Sequence, residues 1–178
     1  MLKLAATLFA TVILPGAVLI ASAQETKAPL SPPAHTSVTI DGKKISIDYS
    51  SPRMRGRKIM GDLVPYDKVW RAGANSATKF VTEADLDING LKVPKGEYTI
   101  YAIPSENEWT LIVNKETGQW GTEYNESKDL GRIKMSVSKT ESPVEDFKIE
   151  LSSAGGNKGE LTMTWENTKA SVPFTVSD

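Results

Sequence analysis

Four of the five arginines of this sequence lie in one short region, between positions 53 and 71. Three of them, Arg53, Arg55 and Arg57, occupy every second position in the stretch S-P-R-M-R-G-R-K-I-M-G. A guanidinium group is a planar fork of donors that matches a carboxylate, a phosphate or a backbone carbonyl, and it stays charged at physiological pH. The sequence has 21 basic residues and the other 16 are all lysines. This concentration of arginine indicates that the geometry of the donors matters here.

Two interpretations of the arginine region stay open. In the first, alternate side chains of an extended segment share one face, and the arginines form a pocket for an anionic or sugar-acid ligand. The candidate ligand-binding residues are Arg53, Arg55, Arg57, Lys58, Trp70, Arg71 and Asn75, with Trp70 as a wall of the pocket. In the second, the arginines bond to backbone carbonyls and to acids such as Asp62 and Asp67, and so hold a long connection in place.

Residues for nucleophilic catalysis are hard to assemble from this sequence. It has no cysteine and a single histidine, His35. This histidine lies in a proline-rich segment, which is a poor place to hold a general base against its nucleophile. We therefore predict no catalytic residue. A hydrolase that acts on glycans through two glutamates is the alternative, because 22 acidic residues always leave room for a pair across a cleft.

Metal, cofactor and nucleic-acid sites are not indicated either. The usual zinc sites need several histidines or cysteines, and calcium loops need a run of alternating acids and a glycine. Neither pattern occurs here, so no metal and no cofactor are predicted. The formal net charge is −1, which provides no basic excess for binding nucleic acid.

The first 23 residues predict a signal peptide. Lys3 precedes an apolar run from Leu4 to Ile20, and Ala21-Ser22-Ala23 has the small residues that signal peptidase requires. We expect cleavage after Ala23 and export to the periplasm or the exterior of a bacterial cell. No later apolar stretch is long enough to cross a bilayer, so no membrane span is expected after cleavage. Residues 24–36, which contain three prolines, predict an extended leader.

Residues 37–178 predict a single all-β domain. Apolar residues alternate with polar ones, and Asp41-Gly42 and Asn89-Gly90 are typical of two-residue hairpin turns. Eight to ten short strands are separated by Gly, Pro, Asn and Ser clusters, which favours an antiparallel β-sandwich or flattened barrel. Trp109 and Trp165 fall within strand patterns, so we expect both in the core.

Several ordered motifs of the chain resemble a known family. They are Ser51 to Gly61, Leu63 to Asn75, Val93 to Tyr98, Trp109 to Asn114, Gln119 to Gly121 and Leu161 to Phe174. Together they resemble a secreted bacterial family catalogued as domain of unknown function 2911, over nearly the whole mature chain. The resemblance implies an exported β domain without an established activity, so it supplies no catalytic residue.

The functional expectation is an exported, non-catalytic binding module for an anionic or carbohydrate-like ligand at the arginine-rich loop. The alternatives are the glycan hydrolase and a purely structural or interaction domain whose arginines pin the loop. The expected partner is a small anionic molecule or a glycan, and the sequence does not define an oligomeric state.

Overall fold

The computed structural model describes residues 28–177, so the predicted signal peptide lies outside the described residues. Nine strands make up the described chain. They are β1 (Pro33–Ile40), β2 (Lys43–Ser50), β3 (Thr78–Thr82), β4 (Asp85–Ile88), β5 (Leu91–Val93), β6 (Gly96–Ile103), β7 (Glu108–Asn114), β8 (Asp129–Gly155) and β9 (Lys158–Ser177). One short 3-10 helix, Glu126–Lys128, precedes β8. Among residues 28–177 no helix has the length and apolar character needed to span a bilayer.

All nine strands join one sheet in the order β1-β2-β3-β6-β7-β8-β9-β4-β5, and every neighbouring pair is antiparallel. This arrangement confirms the predicted all-β class and is consistent with a β-sandwich or flattened barrel. The two predicted hairpin turns are confirmed as well. Asp41 and Gly42 have φ angles of 50° and 74°, and Asn89 and Gly90 have 48° and 99°. Both pairs therefore have the positive φ angles that a tight hairpin needs.

The long strands β8 and β9, of 27 and 20 residues, connect the two halves of the sheet. The first part of β8 pairs with β7, and its register against β9 shifts between Lys139 and Val144. Beyond that shift, β8 lies beside the first hairpin. The N–H of Ile149 donates to the Tyr49 hydroxyl at 3.0 Å, and the N–H of Leu151 donates to Thr36 Oγ1 at 3.1 Å. At these two positions the β8 edge has no backbone partner, and side-chain oxygens accept hydrogen bonds from its N–H groups instead.

The core combines many aliphatic side chains with a smaller set of aromatic ones. Trp109 and Trp165 are fully buried, with 0% and 1% of their surface exposed, which confirms that both are core residues. Phe147 is also fully buried, and its ring lies 5.7 Å from that of Trp165. Burial of such rings is the main stabilising term available to a domain without disulfides.

The first strand begins at Pro33, four residues before the alternation that the sequence suggested at Ser37. His35 therefore lies on a strand and not in a flexible leader, and its Nδ1 lies 2.7 Å from Oδ1 of Asp48. The pairing of Pro33 with Ser50 explains the early start, because β2 is long enough to provide backbone partners up to that residue.

The connection from β2 to β3 spans residues 51–77 and contains the arginine region. Its first residues continue along the edge of β8. Ser51 Oγ donates to the Phe147 carbonyl at 2.6 Å, the N–H of Phe147 donates to the Pro52 carbonyl at 2.9 Å, and the N–H of Met54 donates to the Glu145 carbonyl at 2.9 Å. The connection is thus fixed to the sheet from its start.

A carboxylate on β9 fixes the middle of the same connection. Glu166 has a φ angle of 53° where the register of β8 and β9 shifts opposite Val144. Its two carboxylate oxygens accept from the N–H groups of Ile59 and Met60, at 3.2 and 3.0 Å. Hydrogen bonds with a charged acceptor are among the stronger ones in proteins. The positive φ angle of Glu166 therefore directs its carboxylate toward the connection between β2 and β3.

We predict that Glu166→Gln lowers the free energy of unfolding by about 1 to 3 kcal/mol, because one of two partly buried amide donors then faces an NH₂ group. The matched control is Glu160→Gln on the same strand, which should change the free energy of unfolding by less than about 0.5 kcal/mol. Urea denaturation measures both. Equal stability of the two variants would show that Glu166 does not hold the connection.

Candidate functional site

Four arginines line a single cleft of about 250 Å³ at the surface of the domain. Arg53, Arg55, Arg57 and Arg71 all contribute to its lining, and we call it the arginine cleft. The sequence-based hypothesis that these four side chains converge thus has a matching concavity. The sequence leaves two roles open for these arginines, binding a ligand or holding the loop in place. The hydrogen-bond and ion-pair partners of each guanidinium group distinguish between the two roles.

The backbone around Arg55 is a tight turn and not the extended segment that the alternating arginines suggested. Arg55 and Gly56 have φ angles of 49° and 71°, and the N–H of Arg57 donates to the Met54 carbonyl at 3.0 Å. Two successive residues with positive φ are typical of the I′ turn. The expectation of an extended segment is therefore wrong, and the arginines reach one cleft because the chain turns around it.

Two of the arginines bond to the backbone. Arg57 donates from Nε to the Met54 carbonyl at 2.9 Å and from a terminal nitrogen to the Arg53 carbonyl at 2.6 Å. Arg55 donates to the carbonyl of Leu30 in the leader, and its own N–H donates to Glu145 Oε1 at 2.8 Å. These contacts hold the turn and join it to the leader. For Arg55 and Arg57 the structural interpretation therefore applies.

Arg53 faces an acidic partner. Its Nε lies 2.8 Å from Oδ1 of Asp146, in an ion pair without the alignment of a hydrogen bond. About half of each side chain is exposed, 51% and 42%, so water screens the pair and its contribution to stability is small. The acids that the sequence suggested as partners, Asp62 and Asp67, form no ion pair with an arginine within residues 28–177.

Arg71 differs from the other three. It is partly buried, and its Nε is buried without a hydrogen-bond partner among residues 28–177. The side chain lies across Gly121, where a Cβ would come within 2.6 Å of the Arg71 Cδ. The next residue, Ala72, is fully buried with a φ of 49°, which is a strained conformation for a residue with a side chain. Such strain is most often found at functional sites.

The structure places two predicted site residues outside the lining of the arginine cleft. Lys58 is exposed and does not line it. Asn75 is also exposed, and its carbonyl accepts from the N–H of Gly121 at 2.9 Å. Asn75 thus holds the backbone at Gly121, against which the Arg71 side chain lies, while Asn75 itself does not line the cleft.

Two tryptophans form the apolar wall of the arginine cleft. Trp70, which the sequence suggested, and Trp165, which it assigned to the core alone, both line the cleft. Their rings are stacked with centroids 5.9 Å apart and planes inclined by 19°. Trp165 Nε1 donates to the Glu145 carbonyl at 3.1 Å, which fixes its orientation. Trp165 both fills the core and lines the cleft because it lies at the border between them. The alternation of residues along a strand does not show where that border is.

The acidic residues of the described chain do not support a hydrolase at this cleft. None of the residues that line it is an aspartate or glutamate. Within residues 28–177 no group of three or more His, Cys, Asp or Glu side chains is arranged to hold a metal ion. What the cleft offers is cationic donors and indole surface. This chemistry suits binding of an anion more than it suits acid and base catalysis.

The largest cavity described, about 410 Å³, lies elsewhere on the sheet. Its charged residues are already paired, since Lys79 and Glu97 lie 3.2 Å apart and Asp48 contacts His35 at 2.7 Å. An ion pair that is satisfied within the protein has less to offer a ligand. We therefore place the candidate site at the arginine cleft, although it is the smaller concavity.

A second cavity, of about 170 Å³, adjoins the first at Arg71. Trp70 and Arg71 line both, and the second is completed by residues that include Tyr101, Gly121, Thr122 and Tyr124. We call it the tyrosine cavity. Its position means that the guanidinium-bearing side chain of Arg71 lies at a junction between two concavities.

A polar network holds Tyr124 at the tyrosine cavity. Its hydroxyl donates to Asp129 Oδ2 at 2.6 Å and accepts from Arg132 at 2.9 Å. Burial and the hydrogen bond to Asp129 raise the pKa of Tyr124 to about 12. The Tyr124 hydroxyl therefore keeps its proton at physiological pH and donates it in the hydrogen bond to Asp129. This hydrogen bond holds the Tyr124 ring at the wall of the tyrosine cavity.

We predict that Arg57→Ala lowers the free energy of unfolding of the ligand-free protein by about 1 kcal/mol, because two backbone carbonyls lose a charged donor. The neighbouring Lys58→Ala removes the same charge without those contacts and should change stability by less than about 0.5 kcal/mol. Thermal and urea denaturation compare the two. If Arg57→Ala were as stable as wild type, the structural role of Arg57 would be refuted.

Comparison with known proteins agrees with the resemblance of the motifs. No curated protein and no solved structure matches this chain. A family described as "Protein of unknown function (DUF2911)" matches residues 31–174, a range that includes the arginine region and both tryptophans of the cleft. Because this match covers most of the sequence, it confirms the suspected family. The chain belongs to the DUF2911 family.

Proposed function

We propose that this protein is a non-catalytic binding module that takes an anionic, sugar-sized ligand in the arginine cleft. The observation that carries the proposal is the state of Arg71, a partly buried arginine whose Nε has no partner among residues 28–177. A buried donor without an acceptor costs free energy, and a ligand carboxylate or phosphate would satisfy it once a small movement of the Arg71 side chain exposes Nε.

The other three arginines support the proposal in a different way. They are held by carbonyls and by Asp146, so their positive charge is already in place before a ligand arrives. The described residues that line the cleft include four arginines and no acid, and the acids that contact the same segment, Glu145, Asp146 and Glu166, lie outside this lining. A fixed field of this kind attracts an anion and needs little rearrangement when it binds.

The size and wall of the arginine cleft define the ligand class. A volume of about 250 Å³ is slightly below the range of ordinary small-molecule sites, which run from about 300 Å³ upward, so the cleft suits a small ligand. The indole of Trp70, which is partly exposed and lines the cleft, offers an apolar surface suited to one face of a sugar ring, and Trp165 supports it from the core. A sugar acid combines that face with the anionic group that Arg71 requires.

Export completes the proposed function. Residues 1–23 have the composition of a signal peptide, so we propose that the module works in the periplasm or outside the cell. Sugar acids are components of polysaccharides found there, which fits a receptor for such units.

The test is isothermal titration with glucuronate, and with glucose as the uncharged counterpart. We expect wild type to bind glucuronate and to bind glucose at least about tenfold more weakly, because only glucuronate offers a carboxylate to the guanidinium group. Arg71→Ala should lose at least about tenfold in affinity for glucuronate. Arg71→Lys should recover only part of it, because the ammonium group lacks the planar fork of donors.

Lys58→Ala is the matched control, since it removes one positive charge from the same loop at a side chain that does not line the cleft. It should bind glucuronate within about twofold of wild type. The proposal fails if Arg71→Ala and Lys58→Ala bind alike, because the effect would then be that of net charge and not of the cleft.

A further inference from the structure

The geometry points to a ligand longer than one sugar. Resting on the proposed function, we propose that the site takes an acidic oligosaccharide in which a uronate unit lies in the arginine cleft and an adjoining neutral sugar lies in the tyrosine cavity. The observation behind it is that Trp70 and Arg71 line both concavities. A ligand bound in the arginine cleft would therefore reach the tyrosine cavity across the Trp70 and Arg71 side chains.

Gly121 lets the Arg71 side chain pack closely against the backbone at the border of the two cavities. A Cβ at this position would lie 2.6 Å from the Arg71 Cδ and 2.6 Å from the Asn75 carbonyl oxygen. Real Cβ atoms do not approach other atoms so closely, so any other residue would displace Arg71 or push the two segments apart. Glycine at position 121 thus lets the Arg71 side chain lie flat between the two cavities.

The charges around the tyrosine cavity exclude a second anionic unit. Among the described residues that line this cavity, Arg71 is the only one with a charged side chain. Arg132 lies behind Tyr124, but its guanidinium group is already paired with Glu126 at 2.8 Å and with Asp129 at 3.0 Å. A polyanion with a charge on every unit would thus have no second counter-charge.

The remaining chemistry of the tyrosine cavity suits a neutral sugar. Tyr101 and Tyr124 pack edge to face, with centroids 4.9 Å apart, and their hydroxyls are engaged with the Glu123 carbonyl and with Asp129. The partly exposed ring of Tyr124 forms an apolar surface, and the buried Tyr101 supports it from behind. The exposed Thr122 adds a hydroxyl at the rim that can exchange hydrogen bonds with sugar hydroxyls.

The experiment uses three probes on the wild-type protein, in isothermal titration. They are glucuronate, a disaccharide of glucuronate linked to a neutral hexose, and a disaccharide of two uronates. We expect the mixed disaccharide to bind about tenfold more tightly than glucuronate, since a second ring is buried against the tyrosines. The diuronate should bind no more tightly than glucuronate, because its second charge is unpaired.

A blocking variant locates the second unit. Thr122→Trp should fill the tyrosine cavity, so that the mixed disaccharide loses its advantage while glucuronate still binds within about twofold of wild type. Thr117→Trp is the matched control, because Thr117 is also an exposed threonine and lines the cavity of about 410 Å³ instead. It should keep the advantage of the mixed disaccharide. Thermal denaturation checks that both variants are folded.

The outcomes separate this inference from the proposed function. If wild type binds glucuronate and the mixed disaccharide equally, the two-unit ligand is wrong and the anion-binding function stands. The same holds if Thr122→Trp keeps the full advantage. If wild type binds no uronate, the proposed function fails and this inference fails with it. The comparison of probes on wild type decides the matter even if a tryptophan variant does not fold.

Discussion

The backbone pairing between the start of the β2 to β3 connection and the edge of β8 determines where the arginines lie. Pro52 and Met54 exchange hydrogen bonds with Phe147 and Glu145, which extends the sheet by a short additional segment. Without this pairing a connection of residues 51–77 would have a large choice of conformations, and ordering it would cost conformational entropy. The sheet edge thus turns a long loop into a fixed support for the cleft.

The structural explanation of the arginine region holds for Arg55 and Arg57, and the pocket explanation remains our proposal for Arg71. Arg55 and Arg57 hold the turn through backbone carbonyls, and Arg71 is left without such a partner within residues 28–177. Arginines in one cluster can therefore have different roles, since two of them hold the loop and a third faces the cleft. Removing the support would move Arg71 or loosen the cleft, so stability and binding are coupled in this segment.

The sequence predicted those features that depend on neighbouring residues. The hairpins at Asp41-Gly42 and Asn89-Gly90 follow from turn chemistry that two residues carry by themselves. The contact of Glu166 with Ile59 and Met60 joins positions more than 100 residues apart, and a glutamate on a strand reads as an ordinary exposed residue. Contacts of such separation depend on the register of β8 and β9, and no local pattern states where that register shifts.

Arg71 is costly to the ligand-free protein. A buried guanidinium nitrogen without an acceptor costs free energy, and the left-handed backbone of the buried Ala72 adds strain. Within residues 28–177 no hydrogen bond of Nε offsets these costs. An arginine that served only to pin the loop would be placed against a carbonyl, as Arg57 is. Because the Nε of Arg71 is already desolvated, binding an anion adds little to that part of the desolvation cost. The free energy of folding that is lost at Arg71 can therefore be recovered when a ligand binds there.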